Sequence, residues 1–335
     1  MREVAERAGV AMSSVSRVLS GHPDVSPKMR QLVTTAVRDL GYRPDMLAQG
    51  LRRGKTFCVG FTVSDIANPL LAQVVTAAEK RLRASGYSLL LTNSEGSPDL
   101  DVEHISLLER RRVDGLILSL ADEDHAGTVG ALQQVKVPVV LVDRDVPSGV
   151  KARCVAFDHS SGMRAATEHL LELGHREVAL IIGGPKRPAR ERRSAVEETL
   201  AAAGGGARCT IHEGEFSAEY GRSATAEILA AEPQPTAIIA GGNMLMQGAL
   251  LALRDAGAEV GREISLVGCA EVALAELHRP PIAVVRRDML AVGRVAAELL
   301  LADLKADESQ PDADTPLEIV LPTEFVPRPS CADLR

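Results

Sequence analysis

Between residues 57 and 285 short apolar runs alternate with amphipathic stretches. CVGFTV, YSLLLTN, GLILSL and VPVVLVD are continuous and rich in Leu or β-branched side chains, the pattern of strands buried on both faces. Amphipathic stretches at 70–85 and 100–111 predict helices between them. After CVAFD a second series follows, VALIIGG, CTIHEGE, TAIIAGG and ISLVGC, again interrupted by helical patterns such as 162–173 and 246–255. Two βαβ series in tandem predict an α/β architecture of two doubly wound lobes with parallel sheets, whose ligand sites lie off the carboxyl ends of the strands. The segment 306–315 is acidic and poor in apolar residues and reads as a mobile loop.

The first 43 residues have a different rhythm. Three short helices are predicted: 2–8, closed by Gly9-Val10; 13–19, with Val15, Val18 and Leu19 inward; and a third opening at Ser26-Pro27, where Ser caps and Pro fills N1, and ending at Gly41. Helix, tight Gly turn, short helix is helix-turn-helix spacing, although a purely structural three-helix bundle has the same outline. The outer face of the second helix separates the two readings. Met12, Ser13, Ser16 and Arg17 are small or polar with one Arg, which suits approach to a DNA groove, whereas a merely solvated face more often carries Glu and Lys.

Charge strengthens that reading. Of a net charge of −7, residues 1–55 hold ten Lys or Arg against five acids, about +5, leaving about −12 for the rest. A basic head on an acidic body fits phosphate contact by one end. Aromatic residues are only 2% of the chain and Trp is absent, so Leu, Val, Ile and Ala must fill the cores. The five cysteines are scattered singly with no C-x-x-C pair, which argues against disulfides and a zinc site. No apolar run reaches the length of a membrane span, and MREVAERAGV is charged from its second residue, unlike a secretory signal; a cytoplasmic protein is expected.

The stretch EVAERAGV-x-x-x-SVSRVLSG, then VSPKMRQLV, then DLGYRPDMLAQGLRRGKT closely resembles the lactose/galactose-repressor (LacI/GalR) family, and the resemblance continues almost to the C-terminus. It implies a helix-turn-helix domain at 1–43, a hinge helix at 44–55 and an effector-binding, dimerising module like periplasmic binding proteins at 56–335. Lobe 1 would comprise about 56–157 and 286–310, and lobe 2 about 158–285 and 316–330, with helix 289–304 returning to lobe 1 and the last strand, LEIVLPTEFV, rejoining lobe 2. The implied function is a transcriptional regulator of the repressor type that binds a palindromic DNA operator as a homodimer and is tuned by a small molecule. Met12, Ser13 and Arg17 match base-reading positions, and Ser14 and Ser16 phosphate-proximal ones. Ser26 is either a phosphate contact or a plain cap. In the hinge, Leu51 would wedge into the minor groove beside Ala48, with Arg52 near phosphate; a basic linker is the alternative. Two departures stand out. No Thr or Ser caps the first helix at Met1, so either the helix frays or the start lies upstream, and Ala11 replaces the usual Ser before the recognition helix.

For the effector the resemblance implies Asp65, Asn68, Leu70, Asp143, Arg190 and Phe216 along the cleft, although Asp143 and Arg190 also admit purely structural roles. The family's Asn-Asp after TAIIA is Gly242-Asn243 here and its Asp-Asp after ISLVG is Ala270-Glu271, so that Asn243 and Glu271 are the polar groups left; Leu70-Leu71 stands where many relatives have paired aromatics. These losses argue against a copied polyol or purine ligand and admit a smaller, more apolar or anionic one anchored by Arg190. Neither a cofactor nor a catalytic group is expected. GGPKRP lacks the Gly-Lys-Ser/Thr of a phosphate-binding loop, and no G-x-G-x-x-G, H-E-x-x-H or G-x-S-x-G is present. A periplasmic solute-binding protein would share the lobes but not the basic head.

Overall fold

The structure is a computed structural model that describes residues 1–19, 22–42, 55–305 and 316–335. The hinge positions Ala48, Leu51 and Arg52 and the acidic segment 306–315 lie outside the described residues. The chain divides into two compact units, Met1–Phe57 and Cys58–Arg335.

The first unit holds α1 (Arg2–Ala8), α2 (Met12–Leu19) and α3 (Pro27–Asp39). Val4, Val15, Val18 and Val33 are buried together at its centre, with Leu19 and Tyr42 packed against them. Gly9 closes α1 in the left-handed conformation (φ 64°), a backbone setting that disfavours any residue with a Cβ. Ser26 caps α3 by accepting from the Met29 amide at 3.3 Å, ahead of Pro27.

The second unit contains two six-stranded sheets built to one plan. The first runs β11-β5-β4-β3-β1-β2 and the second β12-β10-β9-β8-β6-β7. In the first sheet β1 (Cys58–Val63), β2 (Ser88–Asn93), β3 (Gly115–Leu118), β4 (Val139–Val142), β5 (Arg153–Phe157) and β11 (Glu318–Leu321) are all parallel. In the second, β6 (Glu177–Ile182), β7 (Arg208–Glu213), β8 (Ala237–Ala240), β9 (Ser265–Gly268) and β10 (Ala283–Arg287) are parallel, and β12 (Thr323–Val326) runs antiparallel to β10. The central strands are buried along their whole length, which is why they read as unbroken apolar runs.

The helices that frame the cleft are α4 (Pro69–Arg83), α7 (His159–Glu172), α8 (Arg187–Ala203), α10 (Asn243–Ala256) and α12 (Met289–Lys305); α5 (Pro98–Arg110), α6 (Ala126–Gln134), α9 (Ala218–Leu229) and the short α11 (Ala273–Leu277) complete the set. Helix α12 packs on the first lobe, where Val292, Ala296 and Leu300 are buried with Val59, Phe61 and Val74. The helices α12 and α4 approach closely because Gly293 faces the Val74 carbonyl; a Cβ there would lie 2.1 Å from that oxygen.

One expectation needs correcting. LEIVLPTEFV is not a single strand of the second lobe: β11 pairs with β5 in the first sheet and β12 with β10 in the second. Pro322 separates them, and having no N–H it cannot continue a ladder. The chain therefore crosses between lobes here as well as after β5 and β10.

Candidate functional site

In the first unit the second helix presents a distinct face. Val15 and Val18 point into the core, and Met12, Ser13 and Arg17 are exposed, with Ser14 and Ser16 half-buried beside them. A 3.6-residue period places 12, 13, 16 and 17 on one side, so the exposed side of α2 collects the side chains read as base- and phosphate-facing. The first turn of α2 has only a backbone start: the Ala11 carbonyl accepts from Ser14 N at 2.9 Å and Val15 N at 3.2 Å. No Ala11 side chain can satisfy the free amides, and α1 likewise starts at Met1 without a side-chain cap. Ala11→Ser is expected to stabilise the first unit by about 1 kcal/mol, read as a raised melting temperature of its transition. An unchanged or lowered value would show that the turn cannot bring a serine hydroxyl onto the α2 amides.

In the second unit a cavity of about 590 Å³ opens between the lobes. It lies off the carboxyl ends of β1, β3 and β4 on one side and of β6, β8 and β10 on the other, where the strand order of each sheet reverses. Asp65, Asn68, Leu70, Asp143, Phe216 and Asn243 line it, as read from the sequence. Asn68 caps α4 by accepting from Leu70 N at 3.0 Å, and the same oxygen accepts from Asn243 Nδ2 of the other lobe at 3.2 Å. The exposed Phe216 ring rests on Gly183 and Gly242. A Cβ at Gly242 would lie 2.2 Å from that ring, so the ring keeps this seat only over a glycine.

Arg190 and Glu271 are elsewhere. The Arg190 guanidinium donates to the Pro185 carbonyl at 2.7 Å and pairs with Asp145, forming with Arg187 a cluster of ions that joins the lobes outside the cavity. Glu271 pairs with Arg328 and lies 3.7 Å from Arg286. The cleft's own guanidiniums are Arg144, Arg192 and Arg287, which the sequence reading did not single out. Arg192 stands two residues beyond Arg190 on α8, and the 100°-per-residue turn of a helix carries it round from the rim to the interior.

A buried chain of polar groups joins these residues. His159 Nε2 lies 2.9 Å from Asp143 Oδ1, and Arg192 Nη2 lies 3.1 Å from His159 Nδ1. Because a guanidinium can only donate, Nδ1 must be the accepting nitrogen and Nε2–H the donor to Asp143; the ring is the neutral tautomer. Burial, with Arg192 adding to it against the pull of Asp143, lowers the His159 pKa to about 4. For Asp143, burial alone would raise the carboxyl, but His159, Arg287 and Arg144 hold it well below the ordinary carboxylate range. Arg287 lies 3.6 Å from Asp143, donates to the Cys269 carbonyl at 3.3 Å and sits 5.4 Å above the Phe157 ring. Asp143 itself holds a left-handed backbone (φ 55°), a setting uncommon for a residue with a Cβ. His159 follows a strand in FDHSS, and nothing in the linear sequence marks it as facing Asp143.

Among the described residues no group of His, Cys, Asp and Glu is placed to hold a metal ion, and no helix is long and apolar enough to cross a membrane.

Comparison with known proteins covers both units. A model of the lacI family of bacterial regulatory proteins matches residues 1–45, and a periplasmic binding protein-like domain matches residues 167–331. The chain is 29% identical to the HTH-type transcriptional regulator DegA of Bacillus subtilis, covering 99% of this chain and 98% of that protein. It is also 29% identical to catabolite control protein A of Priestia megaterium, covering 89% and 90%. Among solved structures, the lac repressor dimer bound to operator and the anti-inducer ONPF matches with a TM-score of 0.85 at 26% identity, over 98% of each chain. A complex of the transcriptional regulator CelR with cellobiose matches with a TM-score of 0.72 at 29% identity, over 98% of each.

Proposed function

Because the chain belongs to the LacI family of bacterial regulatory proteins, we propose that its α2 face reads operator DNA and that its interlobe cleft receives the small molecule that controls this binding. The protein is a transcriptional regulator of the repressor type, acting as a dimer on double-stranded DNA. A cytoplasmic location follows from that role.

The observation that carries the reading is the division of α2 into a buried Val15 and Val18 side and an exposed Met12, Ser13 and Arg17 side, in the more basic part of the chain. Arg17 supplies a forked donor that can meet guanine O6 and N7 together, Met12 an apolar surface for a thymine methyl, and the serines short hydrogen bonds. Ser14 and Ser16 serve phosphate, which sets register without reading sequence. Ser26 acts first as the α3 cap seen here, and the hydroxyl oxygen that accepts from Met29 keeps its O–H to donate to a phosphate at the same helix end.

In the second unit a ligand touching Asn68 and Asp143 on one lobe and Arg192, Phe216 and Asn243 on the other favours one lobe spacing over another. A ligand shifts such an equilibrium only by its differential affinity for the two states, and both lobes contribute contacts here.

The test is selection of bound sequences from random DNA with the full chain, followed by Arg17→Ala. The variant is expected to lose about 1–3 kcal/mol on the preferred sequence, roughly five- to 150-fold in Kd, and to relax preference at one base pair per half-site while nonspecific binding changes little. Equal loss on all sequences would make Arg17 a phosphate contact and not a reader of bases.

A further inference from the structure

We propose that the cleft takes a small hydroxylated anion, a hydroxy-carboxylate or the phosphate ester of a polyol, with its charged end against Arg192 and Arg287 and a hydroxyl against Asn243. This rests on the reading of the cleft as the effector site and names the chemistry of what enters it.

The charge balance of the inner end comes first. Arg192 is 6% exposed and the Arg287 side chain 10%, and both line the cavity. Asp143 is the one carboxylate beside them, 3.6 Å from Arg287 and reached from Arg192 only through His159; Arg144 has its own counter-charge in Glu123 at 3.2 Å. Two buried guanidiniums against one carboxylate leave an excess positive charge, which a low-dielectric site tolerates poorly until an anion joins it. Arg192 and Arg287 feel each other: burial foremost, and then the Arg192 charge, lower the Arg287 pKa to about 10. Arg287 Nε is also a buried donor with no acceptor. The Lys186 ammonium lines the same cavity, where burial and Arg144 lower its pKa against the longer-range pull of Asp122, Glu123 and Asp101.

A neutral polyol would want carboxylates as hydroxyl acceptors, and the inner end offers one, Asp143, whose Oδ1 is already taken and whose Oδ2 lies 3.6 Å from Arg287. Asp143 accepts from His159 Nε2 and from the Phe157 amide, and Asp65 Oδ1 accepts from the Ala67 amide. Glu95 and Glu215 line the cavity but are exposed.

The hydroxyl requirement comes from Asn243. Its Oδ1 is buried without a donor, and the amide cannot simply be turned over. Nδ2 must face Asn68 Oδ1, because that oxygen is fixed as an acceptor by the Leu70 amide it caps. A bound molecule therefore has to bring a donor to Asn243 and acceptors to the arginines. The Phe216 ring, seated on Gly183 and Gly242, supplies a flat apolar wall, and a volume of about 590 Å³ admits a six-carbon skeleton.

The experiment is calorimetric titration of the full wild-type chain, without DNA, with glucose, gluconate, glucose 6-phosphate and inorganic phosphate, with melting temperature as a second readout. At least one of gluconate and glucose 6-phosphate is expected to bind about tenfold or more tightly than glucose, and more tightly than inorganic phosphate; their order tells carboxylate from phosphate ester. Arg287→Gln should bring the anion's affinity down to that of glucose, and Asn243→Ala should weaken the polyol anion while leaving inorganic phosphate unchanged. The wild-type comparison decides the matter even where a variant fails to fold. Glucose binding as tightly as both anions, or no binding by either anion at millimolar concentration, overturns the proposal. An anion that binds the cleft yet leaves operator affinity unchanged would instead overturn the effector role and leave the ligand chemistry standing.

Discussion

Asp143→Ala is expected to destabilise the second unit by about 3–5 kcal/mol, the loss typical of removing one partner from a buried ion pair. The carboxylate lies 3.6 Å from the buried Arg287, accepts from His159 and from the Phe157 amide, and is linked to Arg192 only through the His159 ring. Truncation leaves the buried Arg287 without its carboxylate and an imidazole N–H without an acceptor. Urea unfolding of the full chain, followed through the transition of the second unit, measures the loss. Asp143→Asn keeps an acceptor for His159 but not the charge, and should fall between wild type and Asp143→Ala. The double variant Asp143→Ala/Arg287→Met should cost less than the sum of the single changes, because the second substitution removes a charge that the first stranded. Strict additivity would mean that the two groups do not act on each other.

The second large effect is a dependence on pH. His159 is neutral in the fold, with a pKa lowered to about 4 by burial first, and then by Arg192 and Arg287 working against the Asp143 attraction. Protonation at Nδ1 would set two donors face to face. In the unfolded chain the ring titrates near its ordinary value of about 6.5. The unfolded state therefore binds more protons between those two values, and stability falls as pH falls through that window. From pH 7 to pH 5 the loss from this residue is about 2 kcal/mol, approaching about 3 kcal/mol by pH 4. Asp143 has a depressed pKa as well, so its contribution holds above the unfolded carboxylate value of about 3.9 and is lost only below it. His175, buried against Thr236, Ser265 and the Ala332 carbonyl, shifts downward from burial and adds a loss of the same sign. The contribution of His159 is thus the difference between wild type and His159→Asn measured across pH 5–7. Parallel curves for the two proteins would show that this imidazole is not held neutral.

Both effects concern a network that could not be read along the chain, and the contrast with what could be read is instructive. The two series of apolar strands were legible because parallel strands buried on both faces must be apolar throughout, a local requirement visible in VVLV or GLIL without any partner. The helix-turn-helix was legible for a similar reason: the left-handed Gly9, the Ser26-Pro27 start and the two-sided α2 are each decided within one or two turns. Asp65, Asn68, Leu70, Asp143, Phe216 and Asn243 reached the cleft because each follows closely on a strand end or a helix start, and strand ends converge there in this architecture.

What the tertiary structure alone decided is which charged side chains turn inward. Arg190 and Arg192 are equally cationic and two positions apart, yet one pairs with Asp145 outside the cavity and the other is buried against His159 and the Gly241 carbonyl. The division of LEIVLPTEFV between two sheets was settled in the same way, by partners more than 35 residues distant. Secondary structure follows from neighbours a few residues away, so a sequence carries it openly. The pairing of a buried charge depends on groups brought together from β4, α7, α8 and β10, and no local pattern encodes their meeting.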